Sequence, residues 1–186
     1  MNKVYIFLAD GFEEIEALTV VDLLRRAGIE APMVSIKDNK TVTGSHQISV
    51  QADLLLSEVK GTLADAAVLP GGMPGTVNLL ECEELVEMVL GLHAAGAYIA
   101  AICAAPSILA QIGLLDGKKA TSYPGFEEKM TMADYVYEPV VQDGKIITSR
   151  GLGTAIDFAL KIIENLLGAD KAQEISDSII YRLEGK

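Results

Sequence analysis

The sequence predicts an α/β domain with a mostly parallel central sheet, helices on both faces and a small β-hairpin. Two observations carry this prediction. Short, continuous apolar runs bounded by glycine, proline or acidic residues recur along the chain, as expected of strands buried on both faces. Stretches of helical periodicity alternate with them, and no repeat, low-complexity tract or long linker interrupts the alternation across 186 residues. Alternating β and α elements of this kind imply one doubly wound sandwich.

Taken in order, Val4 to Ala9 is a strand-type run, closed by Asp10-Gly11 and followed by a helix from about Glu13 to Ala27. Leu18, Val21, Asp22, Leu24 and Arg25 give that helix a buried side and a polar side, and Gly28 ends it. Ala31 to Ile36 supplies the next strand and completes a βαβ unit. Asp38-Asn39-Lys40 then separates it from Val42 and Ile48-Ser49-Val50, which alternate as a small hairpin beside the main sheet. Ala66 to Leu69 is a short buried strand ending in Pro70-Gly71-Gly72, and Cys82 to Ala95 has helical periodicity with Gly96 as its stop. Ala97 to Ile102 is apolar and runs without a spacer into Cys103 and the helix start Ala104-Ala105-Pro106. Ala120 to Tyr123 and Tyr135 to Tyr137 read as short strands, and Asp143-Gly144 as a hairpin turn before Ile146-Ile147-Thr148. Helices from about Thr154 to Leu167 and Ala169 to Leu183 complete the pattern.

Composition narrows the function classes. A hydrophobic content of 50% suits a single sizeable core. The 26 acidic residues outnumber 15 basic ones, and the net charge of -11 opposes stable nucleic-acid binding. Cys82 and Cys103 are far apart and lack CxxC spacing, which fits free thiols in a reducing cytoplasm. The N-terminal apolar run is too short for a signal peptide. Met88 to Leu115 contains no Asp, Glu, Lys or Arg, but His93, Gly96, Pro106, Gln111 and Gly113 divide it, so a buried strand between two helices explains it better than a membrane span.

In doubly wound folds the working groups gather at the carboxyl ends of strands, and three such loops stand out. The first is the Cys103 elbow, where a strand-to-helix turn aims the side chain toward helix-terminal amides that favour a thiolate. An inert buried thiol is the default for a cysteine in an apolar stretch, and Cys82 keeps that default. The second loop, Asp10 to Glu16, carries three acids. They suit a helix N-terminus, and Glu16, one turn beyond Glu13, is the candidate to face the thiol. The third is Pro70-Gly71-Gly72, whose Gly71 and Gly72 let the backbone approach a ligand and present amides to an oxyanion. Neither His46, in the hairpin, nor His93, in the preceding helix, makes a natural partner for Cys103, and two scattered histidines give no zinc set, so no metal is assigned. Gly151-Leu152-Gly153-Thr154 opens a helix near the pocket without a dinucleotide or P-loop pattern.

Four segments in order, Gly11-Phe12-Glu13-Glu14-Ile15-Glu16, Leu69-Pro70-Gly71-Gly72, Ala100 to Pro106 around Cys103, and Thr148 to Thr154, resemble the ThiJ/PfpI superfamily over nearly the whole chain. The likeness is greatest to the branch of the parkinsonism-associated deglycase and its bacterial relatives. It implies one class I glutamine amidotransferase-like domain over residues 1–186 with a flavodoxin-like sandwich, usually a homodimer. It also implies a reactive cysteine at Cys103, a protonated acid at Glu16, and backbone amides of Gly71, Gly72 and Ala104. Tyr123, Pro124 and Gly151 would line the pocket. Where a member of the branch has a histidine before a proline, this chain has Tyr123-Pro124. A phenol with a pKa of about 10 is a poor base at neutral pH, which leaves proton transfer to Glu16. His46 stands where some relatives have arginine.

The resemblance implies cofactor-free chemistry on 2-oxoaldehydes such as methylglyoxal, or on glycated thiols and amines. The alternative is a redox-sensing stress chaperone that works through oxidation of Cys103. Older family labels, intracellular peptidase and thiazole biosynthesis, fit less well, since no general base for proteolysis is evident. A nucleotide-binding flavodoxin-like module is opposed by the absence of a phosphate-cradling glycine pattern in the first loop.

Overall fold

In the computed structural model, which describes residues 2–182, β1 (Val4–Leu8) is buried at every position and sits in the middle of the sheet. Its side chains alternate between two cores. Val4, Ile6 and Leu8 pack on one side with α1 (Glu14–Arg26) and α6 (Ala155–Leu167), while Tyr5 and Phe7 pack on the other. Strand periodicity of two therefore explains why the run is apolar throughout.

The chain winds outward from β1 in both directions. Toward one edge lie β2 (Met33–Ser35) and β5 (Leu54–Leu55), and toward the other lie β6 (Ala66–Leu69), β7 (Tyr98–Ile102) and β11 (Ile146–Ser149), all parallel. β10 (Val140–Asp143) closes that second edge antiparallel to β11 through the Asp143-Gly144 turn. Without the two outermost strands, the order β2-β1-β6-β7-β11 is the flavodoxin-like one, and winding reverses between β1 and β6. The carboxyl ends of β1, β6 and β7 thus meet at the switch point, where this architecture forms its sites.

The hairpin of β3 (Thr41–Thr43) and β4 (Ser49–Gln51) is a separate two-stranded sheet. It turns back over the start of α1, where Ser45 N–H donates to the Phe12 carbonyl at 2.8 Å. Helices α3 (Gly75–Glu81), α4 (Glu83–Ala94) and α5 (Pro106–Gln111) lie on the second face, while α7 (Ala169–Ser178) packs on α6.

Several expectations change. Gly75–Glu81, where the sequence pattern assigns no element, is helical, and the next helix starts at Glu83 with Cys82 as its cap instead of its first residue. Leu54–Leu55 pairs with β2 and leads into α2 (Leu56–Val59), two short elements whose apolar residues carry no resolvable period. The short strands expected at Ala120 to Tyr123 and Tyr135 to Tyr137 are instead β8 (Lys119–Ala120) and β9 (Asp134–Tyr135), which pair with each other in a separate sheet. The last helix stops at Ser178, as Ile180 adopts a left-handed backbone at φ 60°; its expected end, Leu183, lies outside the described residues. The uncharged stretch from Met88 to Leu115 resolves into the end of α4, β7 and α5, and among the described residues no helix is long and apolar enough to cross a membrane.

Candidate active site

Cys103 is the first residue beyond β7, and its φ of 65° lies in the left-handed region. For a residue other than glycine that conformation costs about 1–3 kcal/mol, so the surroundings must impose it. They do so through the main chain. Cys103 N–H donates to the Ser149 carbonyl on β11 at 3.0 Å, Tyr123 N–H donates to the Cys103 carbonyl at 2.8 Å, and Ala105 N–H closes the turn on Ile102 at 3.0 Å. Ala100, Ala101, Ala104 and Ala105 are all buried, leaving room for the elbow under the crowded edge of the sheet.

Glu16 lies in the first turn of α1 with only 1% of its surface exposed. Its Oε2 accepts a hydrogen bond from Gly71 N–H at 2.9 Å, and its carboxyl lies beside the Cys103 thiol, each group shifting the titration of the other. A Cβ added to Gly71 would stand 2.5 Å from Cys103 Cβ, 2.7 Å from Glu16 Oε2 and 3.0 Å from Cys103 Sγ. The absence of a side chain at Gly71 therefore lets acid and thiol meet. Gly72 is required for a second reason. Its φ is 90°, and a side chain there would run into the backbone of Gly11, Phe12 and Glu13.

Of the amides expected to hold an oxyanion, Gly71 is engaged by Glu16, while those of Gly72 and Ala104 face the sulfur. Gly151 lies between Tyr123 and Glu16, since a Cβ there would be 3.3 Å from the Tyr123 ring and 3.7 Å from Glu16 Oε1. Tyr123 is half exposed at the rim, and Pro124 is exposed next to it. The Leu152 amide, not singled out by the sequence, also faces the Glu16 carboxyl, and the Ser149 carbonyl anchors the elbow. Both belong to the Thr148 to Thr154 segment, whose glycines marked it as a loop without revealing which backbone groups it would present.

Electrostatically, acid and thiol act as a unit. Burial pushes Glu16 from 4.5 up to about 7, against the hydrogen bonds from Cys103 and Gly71, and the charge of Glu13 adds to the rise. Burial first, then the charge of Glu16, pushes the Cys103 thiol up to about 12, while the Ala104 and Gly72 amides pull the other way. The expectation that elbow amides alone make the thiol acidic is thereby corrected. α5 is only six residues long, and its pull does not offset burial beside a carboxylate. Once Glu16 has titrated, the one proton left on the pair resides mainly on sulfur, and the thiolate is the minor form in which that proton has moved to Glu16.

Neither histidine joins this pair. His93 sits on α4, where burial lowers its pKa. His46 is not isolated, however: the hairpin folds it onto Glu13 and Glu14, with Nδ1 at 3.4 Å from Glu13 Oε2 and 3.0 Å from Glu14 Oε2. The sequence offered no reason to expect this cluster, because it depends on where a separate sheet comes to rest.

Residues 2–165 match the family described as the DJ-1/PfpI family. The chain is 43% identical over 184 residues to Protein DJ-1 homolog A of Arabidopsis thaliana, an alignment covering 97% of this chain and 47% of that protein. It thus spans about half the length of that plant relative. It is 34% identical to the glutathione-independent glyoxalase DJR-1.2 of Caenorhabditis elegans, over 88% of this chain and 87% of that one. Oxidized DJ-1 of Toxoplasma gondii superposes with a TM-score of 0.94 at 39% identity, covering 98% of this chain and 100% of its own. With a family pattern matched over most of its length and a shared fold nearly end to end, the chain belongs to the DJ-1/PfpI family.

Proposed function

We propose that this protein is a cofactor-free enzyme acting on 2-oxoaldehydes or their protein adducts, with Cys103 as nucleophile and Glu16 as its proton partner. The single observation that carries the reading is the buried Glu16 carboxyl set beside the Cys103 thiol and held by Gly71 N–H, with burial raising its pKa to about 7. An acid with that pKa can both give and take a proton at neutral pH. The glyoxalase name of the Caenorhabditis relative supports the substrate class.

In the reaction, the thiolate adds to the aldehyde carbon of methylglyoxal and Glu16 protonates the new oxyanion, giving a hemithioacetal. The Gly72 and Ala104 amides stabilise the oxyanion, while the Gly71 amide fixes the acid. Glu16, now ionised, carries the proton from the former aldehyde carbon to the neighbouring carbon while the hydroxyl proton passes to the neighbouring oxygen, so that the hemithioacetal isomerises to a lactoyl thioester with no net redox change. Water then hydrolyses the thioester to lactate and restores the thiol. Lactate formation by wild type, Cys103→Ser and Glu16→Gln tests this: both variants should fall at least about a hundredfold, and retained turnover would refute the mechanism.

A second reading is redox sensing. Two successive peroxide molecules would each deliver one oxygen to sulfur, converting Cys103 to a sulfinate held by Glu16 and the same amides. Its support is the Gly72 and Ala104 amides facing the sulfur, together with a relative solved in oxidized form. Selective addition of two oxygens at Cys103 with negligible aldehyde turnover would favour it. For assembly, we infer a homodimer through α1 and the hairpin, where Ile15 and Ile48 are about half exposed. Light scattering that shows a concentration-independent monomer would overturn that assignment. Free Cys82 and Cys103 suit the reducing cytoplasm in which we place the protein.

A further inference from the structure

The cluster at the start of α1 is built differently from a solvated group of acids. Each carboxylate has one oxygen fixed by main-chain amides: Glu13 Oε1 accepts from Ile15 N–H at 3.4 Å, and Glu14 Oε1 from His46 N–H at 2.8 Å and Ile48 N–H at 3.4 Å. The other oxygens both turn toward His46 Nδ1. Gly44 makes this possible, because a Cβ there would overlap the Glu14 carboxylate. The Glu14 side chain is 3% exposed and that of Glu13 12%, whereas that of His46 is 68% exposed in the single chain, on the hairpin face through which the inferred dimer would form.

Ser45 Oγ completes the set, 3.3 Å from Glu13 Oε2, 3.4 Å from Glu14 Oε2 and 3.1 Å from His46 Nδ1. With His46 Nδ1 at 3.4 and 3.0 Å from the two carboxylate oxygens, five of the distances among these four atoms fall between 3.0 and 3.4 Å. A tetrahedron with bonds of about 2.0–2.1 Å to its centre has edges of about 3.3 Å, the dimensions of four-coordinate zinc. Two carboxylates offset the charge of a divalent ion, and an imidazole nitrogen selects against magnesium and calcium, which require more oxygen ligands. The backbone-held second oxygens supply the orienting contacts that metal carboxylates need.

We propose that Glu13, Glu14 and His46, with the Ser45 hydroxyl at the fourth corner, form a site for a divalent transition-metal ion of the zinc class. Binding displaces the proton shared between Nδ1 and Glu14, leaving the imidazole neutral with its hydrogen on Nε2. The site is distinct from the Cys103 pair and does not rest on the proposed reaction.

Zinc binding is measured by equilibrium dialysis in a Cys82→Ser, Cys103→Ser background, which removes both thiols as competing ligands. One equivalent should bind, with a nitrogen and oxygen shell by X-ray absorption, and excess magnesium should not displace it. His46→Gln and Glu13→Gln should each weaken binding at least about tenfold with unchanged far-ultraviolet circular dichroism. Absence of zinc binding in the background protein, or unchanged affinity in both variants, would overturn the proposal. Because His46 is mostly exposed and Glu13 differs from Gln by a single group, at least one variant should stay folded.

Discussion

Replacing Glu16 by glutamine should stabilise the protein, and the gain should depend on pH. In the folded chain the carboxyl titrates near 7 rather than 4.5, chiefly because ionisation in its buried position is unfavourable. A pKa raised on folding contributes stability that is complete below the unfolded value, about pH 4.5, and is lost as pH rises through about 7. At about 1.4 kcal/mol for each tenfold change, the interval corresponds to about 3 kcal/mol above pH 7. Glutamine pays no ionisation cost, yet its amide oxygen can still accept from Gly71 N–H and its amino group can face the sulfur. Urea denaturation of wild type and Glu16→Gln between pH 4 and pH 8.5 isolates the effect, because all other titrating groups are common to both proteins. The curves should converge near the acid end and diverge by about 3 kcal/mol at the alkaline end, equivalent to roughly 6–12 °C in Tm for a chain of this size. Parallel curves across the range would show that Glu16 ionises as an ordinary carboxyl and would remove the basis for its role beside Cys103.

Alkylation of Cys103 by iodoacetamide should rise to about pH 7 and then level, since beyond the Glu16 titration the pair holds one proton whose partition stays fixed until about pH 12. In Glu16→Gln that inflection should vanish, and a shared inflection in both proteins would contradict the coupling. Gly71→Ala should destabilise the fold by about 1–3 kcal/mol and reduce aldehyde turnover more than tenfold, because the added methyl would stand 2.5 Å from Cys103 Cβ; calorimetry and kinetics on the same preparation check both. Phe158→Ala, which empties a fully buried position where α6 meets the sheet, should cost about 3–5 kcal/mol by urea denaturation without altering the pH profile of Cys103.

The sheet was legible because its central strands are apolar runs: Val4 to Leu8 and Ala66 to Leu69 read as strands buried on both faces and are so at every position, and the run from Ala97 to Ile102 is a strand from Tyr98 onward, half-buried only at that first residue. The α3 helix was not, since seven residues between Gly75 and Glu81 span barely two turns and offer too few positions to establish a period. The elbow at Cys103 could be read from small residues on either side of an abrupt change of pattern. The sign of its pKa shift could not, because that depends on how deeply Glu16 is buried beside it. Among Glu13, Glu14 and Glu16, helical spacing separated directions without saying which one met the thiol. The hairpin decided the rest by covering Glu14, a long-range contact across more than thirty residues of chain that no local pattern encodes.

The contacts that force the left-handed backbone at Cys103 come from the main chain of Ser149 and Tyr123, and neither reads the side chain it supports. The mounting is therefore separable from the tool. A serine, an aspartate mimicking an oxidised sulfur, or a selenocysteine installed at that position would be aimed at the same point in space without rebuilding the sheet. For a protein designer, this makes the elbow a ready-made socket. For a lineage carrying this architecture, it means that a new reaction can begin with a single codon.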